Sequence, residues 1–339
     1  MSTFVDLELA VNTLSGDPET PTTEDTLTDP ADFESIDVTL GIAQIATCRL
    51  TIAKAAFVAS FDETNMLDVY LGLGGTDRVF FGDQDGVAFD GQGRASITAV
   101  GFLGRLDQEW GGGEYEYTAQ TSDEIARNYI EKSALPSALH SVTNSTWDPT
   151  TPNSIFLRDR DNPLSNLRAL VDQELRWVSE HSNGAIYISD IAIGSSVASF
   201  NDSTPEVTIT RDRVRRGLRN KIIVTGLPDS LGLPLTSEAY TTSVFVLSPQ
   251  DYWVMDFNAP LIQDQTQADL ISARALEIYN VRPERGSVIT LLDVGVEPGD
   301  TITLTSSYCD LSSVKVFVES VSYHVPACTR EIRWWRFPE

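Results

Sequence analysis

Residues 294–325 read VGVEPGDTITLTSSYCDLSSVKVFVESVSYHV, and this stretch decides the fold class. Its EPGD sequence at 297–300 combines proline and glycine with two acids, which is typical of a tight turn. The flanking runs 300–305 and 314–324 are rich in threonine, valine, isoleucine and aromatic residues, which favour strands. The stretch therefore predicts paired strands in a β-rich C-terminal part.

Strand signals continue outward on both sides of this stretch, because many segments alternate apolar and polar residues. We expect strands at 1–15, 35–40, 47–53, 66–73, 78–83, 94–101, 184–190, 206–210, 222–226, 286–293 and 330–336. Turn chemistry marks 72–77 and 83–86, and proline, threonine and acids mark 16–34 as a long loop. The pattern predicts a mainly β chain that begins with a compact antiparallel unit of about six strands.

Three helices are expected between these strands. Thr121 and Glu124 stand at capping-box spacing before a helix that extends to about residue 135. A second helix is expected over 163–180, where Leu167, Leu170, Val171, Leu175 and Val178 follow a 3.6-residue period. A third is expected over 265–279. The fold class is therefore mainly β with α+β insertions.

The charge of the chain is strongly negative. Its 339 residues carry 49 acidic and 24 basic side chains, a formal net charge of −25, and only 4 of the basic residues are lysines. This balance disfavours proteins that grip nucleic-acid phosphates or anionic membrane surfaces. Many carboxylates with few lysines also indicate a saline solvent, where charge repulsion is screened. We expect a halophilic origin.

Targeting and cysteine signals are weak. The N-terminus lacks the basic and apolar regions of a secretory leader, so we expect none, and no apolar run is long enough to cross a membrane. Three cysteines do not make a disulfide framework. We expect reduced thiols, with a Cys309–Cys328 pair left open.

Catalytic and metal-binding patterns are also weak. The three histidines, His140, His181 and His324, have no histidine or cysteine at ligand spacing, so we expect no metal and no cofactor. The carboxylate pairs Asp83/Asp85 and 159/161 carry little information in so acidic a chain. We therefore expect a protein that is not an enzyme.

One basic segment, 211–221, contrasts with the acidic chain. It contains Arg211, Arg213, Arg215, Arg216, Arg219 and Lys221. Such a segment can contact an acidic neighbouring subunit, or its arginines can pair with local acids. The contrast in charge makes these six residues our candidate subunit interface.

The order of segments resembles the tail-hub or baseplate-hub proteins of tailed viruses, the family that includes the late-control D proteins. Three passages carry the resemblance. They are residues 69–101, which contain VYLG, VFFG and ASITAVG; the helix at 123–135; and residues 273–325, in which a helix leads to VGVEPGDTI and VFVESVSYH.

The resemblance implies two tail-tube-like antiparallel β-barrels in each chain. The first barrel would comprise residues 1–105 and the second residues 205–339, with a peripheral insertion at 227–280. A mixed α/β connecting domain would comprise 106–204. Three such chains would make a ring with pseudo-sixfold symmetry that matches a hexameric tail tube.

The resemblance also implies a function and a set of partners. The protein would be a homotrimeric hub of the viral tail tip, assembled in the host cytoplasm, without membrane insertion. Its partners would be the tail tube or distal tail protein, the tip or fibre proteins and the tape-measure protein. DNA would pass through its lumen transiently and without sequence specificity, and an acidic wall would prevent adhesion.

Three alternatives remain open at this point. The first is a hexameric distal tail or tube protein, which a sixfold ring would distinguish from a threefold one. The second is a polysaccharide hydrolase built on β-domains, which needs two carboxylates across a cleft. The third is a carbohydrate- or calcium-binding β-module.

Overall fold

The fold is described by a computed structural model of the chain. It describes residues 7–53, 65–73, 77–118, 120–132, 135, 137–142, 155–157, 160–213, 219–228, 232–241, 254–259, 262, 264–280, 284–292, 295–325 and 327–336. The strands are β1 Leu7–Ser15, β2 Thr22–Leu27, β3 Phe33–Gly41, β4 Thr47–Ile52, β5 Met66–Leu73, β6 Asp77–Phe89, β7 Ala95–Val100, β8 Tyr115–Tyr117, β9 His140–Val142, β10 Ile155–Leu157, β11 Arg176–Glu180, β12 Ile186–Asp190, β13 Ser196–Asn201, β14 Thr208–Ile209, β15 Asp212–Arg213, β16 Lys221–Pro228, β17 Pro234–Tyr240, β18 Val254–Asn258, β19 Glu284–Leu291, β20 Thr301–Ser306, β21 Leu311–Val325 and β22 Thr329–Arg336. The helices are α1 Ser122–Lys132, α2 Pro163–Asp172 and α3 Gln265–Tyr279, with short 3-10 helices at Pro30–Asp32, Phe102–Leu106 and Ser137–Leu139. The predicted mainly β fold class is confirmed.

Fourteen of these strands form one large sheet, called the main sheet below. Its order is β14, β19, β22, β21, β3, β4, β7, β6, β5, β1 and β2, with β15 beside β19, and with β20 and β13 following from β21. The N-terminal and C-terminal strands meet where β21 pairs antiparallel with β3, opposing Val321 to Leu40 and Tyr323 to Val38. The two ends of the sequence therefore build one sheet.

The main core lies on one face of this sheet. Successive side chains of a strand point to opposite faces, and on β3 the buried set is Ile36, Val38 and Leu40. These residues belong to one apolar cluster with buried residues of the C-terminal strands, including Val321 and Trp334. Burial of apolar surface on this shared face joins the N-terminal and C-terminal strands.

A second unit packs at the side of the main sheet. Helices α1 and α2 lie against each other and against a three-stranded sheet of order β11, β12, β9. The predicted capping box is confirmed at α1, because the Glu124 N–H donates to Thr121 Oγ1 at 3.2 Å and the Thr121 N–H donates to Glu124 Oε2 at 2.9 Å. These bonds satisfy N–H groups that the first helical turn leaves open.

A third unit consists of α3 and the sheet of order β17, β16, β18. Helix α3 spans the predicted 265–279, and the Asp264 carboxylate caps it by accepting the Gln267 N–H at 2.9 Å. Its buried face packs on Ile222 and Val224 of β16. None of the described helices combines the length and the apolar character that a membrane span requires.

The expected loop at 16–34 is wrong in part, because this segment contains a strand. Strand β2 pairs antiparallel with β1, opposing Ser15 to Thr22 and Val11 to Leu27, and a 3-10 helix follows at Pro30–Asp32. Only Leu27 of β2 is buried. A strand with one buried residue leaves almost no apolar alternation in the sequence, so its pattern is that of a loop.

Two other boundaries also differ from the sequence expectation. The predicted turn at 83–86 lies inside β6, where a bulge between Gln84 and Gly86 takes up the irregularity. The predicted turn at 72–77 falls partly on 74–76, outside the described residues. Helix α2 ends at Asp172 instead of 180, and Leu175 has a positive φ of 55° just before strand β11. Apolar residues continue the helical period past the true end because β11 is buried as well.

The three cysteines are free, which confirms the expectation of reduced thiols. Cys48 is buried in the main core, while Cys309 and Cys328 are half-buried. Burial raises the pKa of the Cys328 thiol. The Cys309–Cys328 pair that the sequence left open is not formed.

Candidate functional site

The face of the main sheet opposite the core is lined mostly by small polar side chains. On its five central strands the residues are Thr329, Glu331 and Arg333 of β22, Ser322 and His324 of β21, Ser35, Asp37 and Thr39 of β3, Thr47, Arg49 and Thr51 of β4, and Ser96, Thr98 and Val100 of β7. We call these fourteen residues the polar face. Eight of them carry hydroxyl groups, so the surface is weakly polar rather than ionic.

Cross-strand register places the polar face residues in rows. Ser322 opposes Thr39, and Thr39 opposes Thr47, across three neighbouring strands. The hydroxyls of Thr39 and Ser322 hydrogen-bond at 3.2 Å. The rows make a continuous hydroxyl surface that no single segment of the chain provides.

The charges of the polar face are balanced. Asp37 and Glu331 are its acids, and Arg49 and Arg333 are its bases, so the formal charge is zero with histidine neutral. The Asp37 carboxylate lies 2.9 Å from His324 Nδ1, and the Glu331 carboxylate lies 3.3 Å from Arg333 Nε. In a chain of charge −25, the excess acid therefore lies elsewhere.

The turn after β11 joins the second unit to the main sheet through a buried carboxylate. Glu180 accepts the N–H of Phe102 and, at 3.4 Å, the N–H of Ala46. Burial raises the pKa of Glu180 to about 8, against the lowering effect of these hydrogen bonds. Gly101 leaves the space for this carboxylate, since a Cβ there would overlap it.

The same turn also contacts the EPGD turn at 297–300. The Ser182 N–H donates to Glu297 Oε2 at 3.1 Å, and the Ser182 hydroxyl donates to Oε1 of the same carboxylate. Burial raises the pKa of Glu297 to about 7. His181 stacks on Tyr187 at 3.9 Å, and burial lowers its pKa to about 4, opposed by a hydrogen bond to the Pro298 backbone. Three buried titratable groups thus lie at one junction.

A buried ion cluster holds α1 against β11. The Arg176 guanidinium, 1% exposed, contacts the carboxylates of Asp123 and, at 3.3 Å, Glu174. Arg176 Nε lies 3.3 Å from Asp190 Oδ1. One arginine among several carboxylates is a structural arrangement here, because a buried charge needs its partners in place.

The predicted interface residues are partly engaged inside the chain. Arg211 binds both oxygens of Glu284, at 2.7 and 2.8 Å, and donates to the carbonyls of Cys309 and Asp310. Lys221 lies 2.8 Å from Glu238 on the neighbouring strand. Sequence reasoning had no signal for Glu284, which is distant along the chain and becomes adjacent only through the β15–β19 pairing.

The other four interface residues give less information. The Arg219 N–H donates to the Tyr279 carbonyl at 2.8 Å, at the C-terminal end of α3. Arg213 pairs through its backbone in β15, and its side chain lies outside the described part of the chain, as do Arg215 and Arg216 entirely. A subunit interface through this segment stays a prediction.

Candidate catalytic and metal groups are dispersed. Within the described residues, no three histidine, cysteine, aspartate or glutamate side chains are arranged to hold a metal ion. Of the carboxylate pairs, Asp83 binds Arg105 at 2.6 and 2.7 Å, and Asp159 lies outside the described residues. A cleft of about 300 Å³ beside α3 is lined in part by Asp190, Arg274 and Glu277. Its charges are used internally, for example between Arg274 and Glu277 at 3.0 Å.

Comparison with known proteins finds similarity in structure and none in sequence families. No model of a protein family matches the chain, and no curated protein sequence matches it. The tail protein from Neisseria meningitidis MC58 matches with a TM-score of 0.70 and 9% identity, over 97% of this chain and 96% of that chain. The prophage MuSo2 43 kDa tail protein from Shewanella oneidensis matches with a TM-score of 0.66 and 11% identity, over 97% of each chain.

A third similar structure comes from a secretion apparatus. The Escherichia coli c3393 protein, a component of the type VI secretion system with structural similarity to bacteriophage T4 tail proteins gp27 and gp5, matches with a TM-score of 0.53 and 12% identity. The match covers 91% of this chain and 74% of that chain. At these identities the similarity is one of fold. The main sheet with its two side units is therefore the fold of phage tail proteins and of this type VI secretion component.

Proposed function

We propose that the protein is a structural component of a viral tail tip. It forms a trimeric hub ring with pseudo-sixfold symmetry, which joins a hexameric tail tube to the tip and fibre proteins. The observation that carries this proposal is the shared fold over almost the full length of two phage tail proteins. The ring, its symmetry and its partners go beyond that observation and rest on the sequence resemblance.

The arrangement of strands supports a pseudo-sixfold ring. Strands β1–β7 come from the proposed first tube-like domain, 1–105, and β14, β15 and β19–β22 come from the second, 205–339. Both groups lie side by side in the main sheet, while α3 and β16–β18 lie in the proposed 227–280 insertion and its flank. Three copies would place six such groups around one axis in a closed cyclic assembly.

The polar face supplies the wall of the proposed channel. It is the extended surface of the main sheet that the core leaves uncovered, and its formal charge is zero. The acidic wall expected from composition is not what this face offers. Hydroxyl groups and internally paired charges give a strand of DNA few fixed cations to bind, so DNA passes without adhesion.

The remaining parts of the proposal concern location and contacts. The protein resides in the virion tail tip, assembles in the host cytoplasm, and contacts the tail tube or distal tail protein and the tape-measure protein. The basic segment 211–221 contributes to the subunit contact. The halophilic origin stays a prediction from composition.

The experiment is a mass measurement of the purified full chain, followed by electron microscopy of the particle. The expected species is a ring of three copies of the 37.2 kDa chain with a central opening. Measurements at low and molar salt cover the saline condition that the composition suggests. A ring of six copies would favour the distal tail alternative, and a monomer at every salt concentration would contradict the proposal.

A further inference from the structure

The main sheet ends in strands whose outer edges are unpaired. Among the described residues, β2 hydrogen-bonds only to β1, at one end of the sheet. At the other end, β14 and β15 pair only with β19. An unpaired edge exposes backbone N–H and C=O groups and is a surface for another chain.

The two ends of the sheet carry opposite charge. Residues 7–32, which we call the acidic end, form β1, β2 and a 3-10 helix and carry seven acids and no base, a formal charge of −7. Most of these acids are exposed, among them Glu19 and Glu24. The first basic residue of the whole chain is Arg49. The acidic end therefore repels a second copy of itself.

The opposite end is the basic end, formed by 211–213, β19 and β22. It carries six arginines against three carboxylates, a formal charge of +3 in a chain of −25. Arg285 is exposed beside the Trp335 ring, at 5.5 Å, and Arg333 is 65% exposed. Ile289 and Leu291 expose apolar surface on the same strand as Arg285. Arginine, an aromatic ring and apolar groups together are the composition of a protein interface.

We propose that copies of this chain associate head to tail, with the acidic end of one copy against the basic end of the next. The occupant of each end is a second copy of this chain, because both complementary surfaces are present on one molecule. This inference rests on the proposed ring and names the surfaces that close it. A contact between two different surfaces, repeated around an axis, produces a closed ring.

Charge reversal at each end tests the inference. Variant E19K/E24K reverses two exposed acids of the acidic end, and variant R285E/R333E reverses two exposed arginines of the basic end. We expect each variant to remain folded by circular dichroism and to associate at least about tenfold more weakly than the unmodified chain. Sedimentation velocity over a concentration series measures the association.

A combined variant and a matched control complete the test. The combined variant, with all four reversals, restores opposite charge at the contact, so its assembly recovers to that of the unmodified chain. The control E109K/E277K reverses two exposed acids away from both ends and retains the assembly. It accounts for the change in net charge.

The outcomes separate this inference from the proposed function. If the unmodified chain forms a ring and either two-residue variant assembles equally well, the head-to-tail contact is wrong while the ring stands. The same holds if both variants dissociate and the combined variant does not recover. If the unmodified chain is monomeric, the proposed ring fails and this inference fails with it.

Discussion

Two buried carboxylates, Glu180 and Glu297, hold the turn after β11 between parts of the molecule that lie far apart in sequence. Each accepts hydrogen bonds from backbone N–H groups, yet burial raises the pKa of both. Desolvation therefore outweighs the hydrogen bonds at both carboxylates. Because folding raises these pKa values, ionisation of either carboxylate opposes the native state.

The stability of the protein is expected to fall as pH rises from 6.5 to 8. The unfolded chain ionises Glu180 near its ordinary pKa of 4.5, whereas the folded chain holds the proton to about pH 8. The folded state thus binds more protons in this window, and the free energy of unfolding decreases by about 2 kcal/mol across it. Urea unfolding at several pH values measures the decrease.

Variant E180Q is the control for this pH dependence. Its amide is neutral at every pH and its oxygen can still accept the Phe102 N–H. We expect a smaller decrease between pH 6.5 and 8 than in the unmodified chain; an equal decrease would contradict the assignment to Glu180. Below pH 6.5 the lowered pKa of His181 acts in the opposite direction, because there the unfolded chain binds the extra proton.

Replacement of Gly101 tests the same junction sterically. A Cβ at this position overlaps the Glu180 carboxylate, so we expect G101A to lose about 1–3 kcal/mol of unfolding free energy. A Cβ at Gly91 would meet no heavy atom within 4 Å, so G91A is the matched control, with unchanged or slightly raised stability. Equal effects of the two variants in urea unfolding would show that Gly101 is not constrained.

At the scale of elements, Arg211 fixes the segment before β15 to β19. Its guanidinium, 7% exposed, pairs with Glu284, which also lies 3.2 Å from Arg336 of β22. One carboxylate thus connects three elements at the end of the main sheet. Folded this way, Arg211 acts within its own chain.

We expect R211Q to reduce the unfolding free energy by about 2–4 kcal/mol, because it leaves the Glu284 carboxylate with one of its two cationic partners. The control is R94Q, whose pairs with Asp90 and Glu34 are exposed and contribute less than about 1 kcal/mol. Urea unfolding compares both variants with the unmodified chain. A loss for R211Q no larger than that for R94Q would refute the internal role of Arg211.

Local signals predicted the elements well, and their failures have physical causes. The capping box of Thr121 and Glu124 and the full span of α3 followed from neighbouring residues alone. The end of α2 did not, because the buried strand β11 continues the apolar period of the helix. Strand β2 has no clear signal because it buries one residue, and its register comes from β1.

At the scale of the whole molecule, the polar face could not be predicted from the sequence. Thr39 and Ser322 hydrogen-bond across the sheet but are separated by 283 residues along the chain. Composition predicted an acidic channel wall, yet it gives only the total charge and not the face that carries it. The resemblance to tail proteins predicted the mainly β fold, whereas the balanced charge of this face needed the strand order.

A gain of DNA binding is expected when lysines are placed on the polar face. In the variant T39K/T47K/S322K the three lysines form one row across β4, β3 and β21, so a ring of three copies would carry nine added cations. We expect the ring to retain duplex DNA with an affinity that falls steeply with salt, while the unmodified ring retains little.

The matched control for this DNA prediction is T39N/T47N/S322N, which adds bulk without charge. Filter retention at several salt concentrations compares the two variants, after their ring assembly has been checked by mass. Weak retention of DNA by the assembled lysine variant would place the polar face outside the channel.

The pairing of β21 with β3 has a consequence for how the protein is made. During synthesis, β4 can cover one edge of β3 almost at once, while β21 follows about 280 residues later. At ordinary translation rates this delay is roughly 15 to 60 seconds. Throughout it, a strand destined for the middle of the sheet has one edge open to neighbouring nascent chains on the same messenger RNA. The native sheet is completed only when the last strands leave the ribosome.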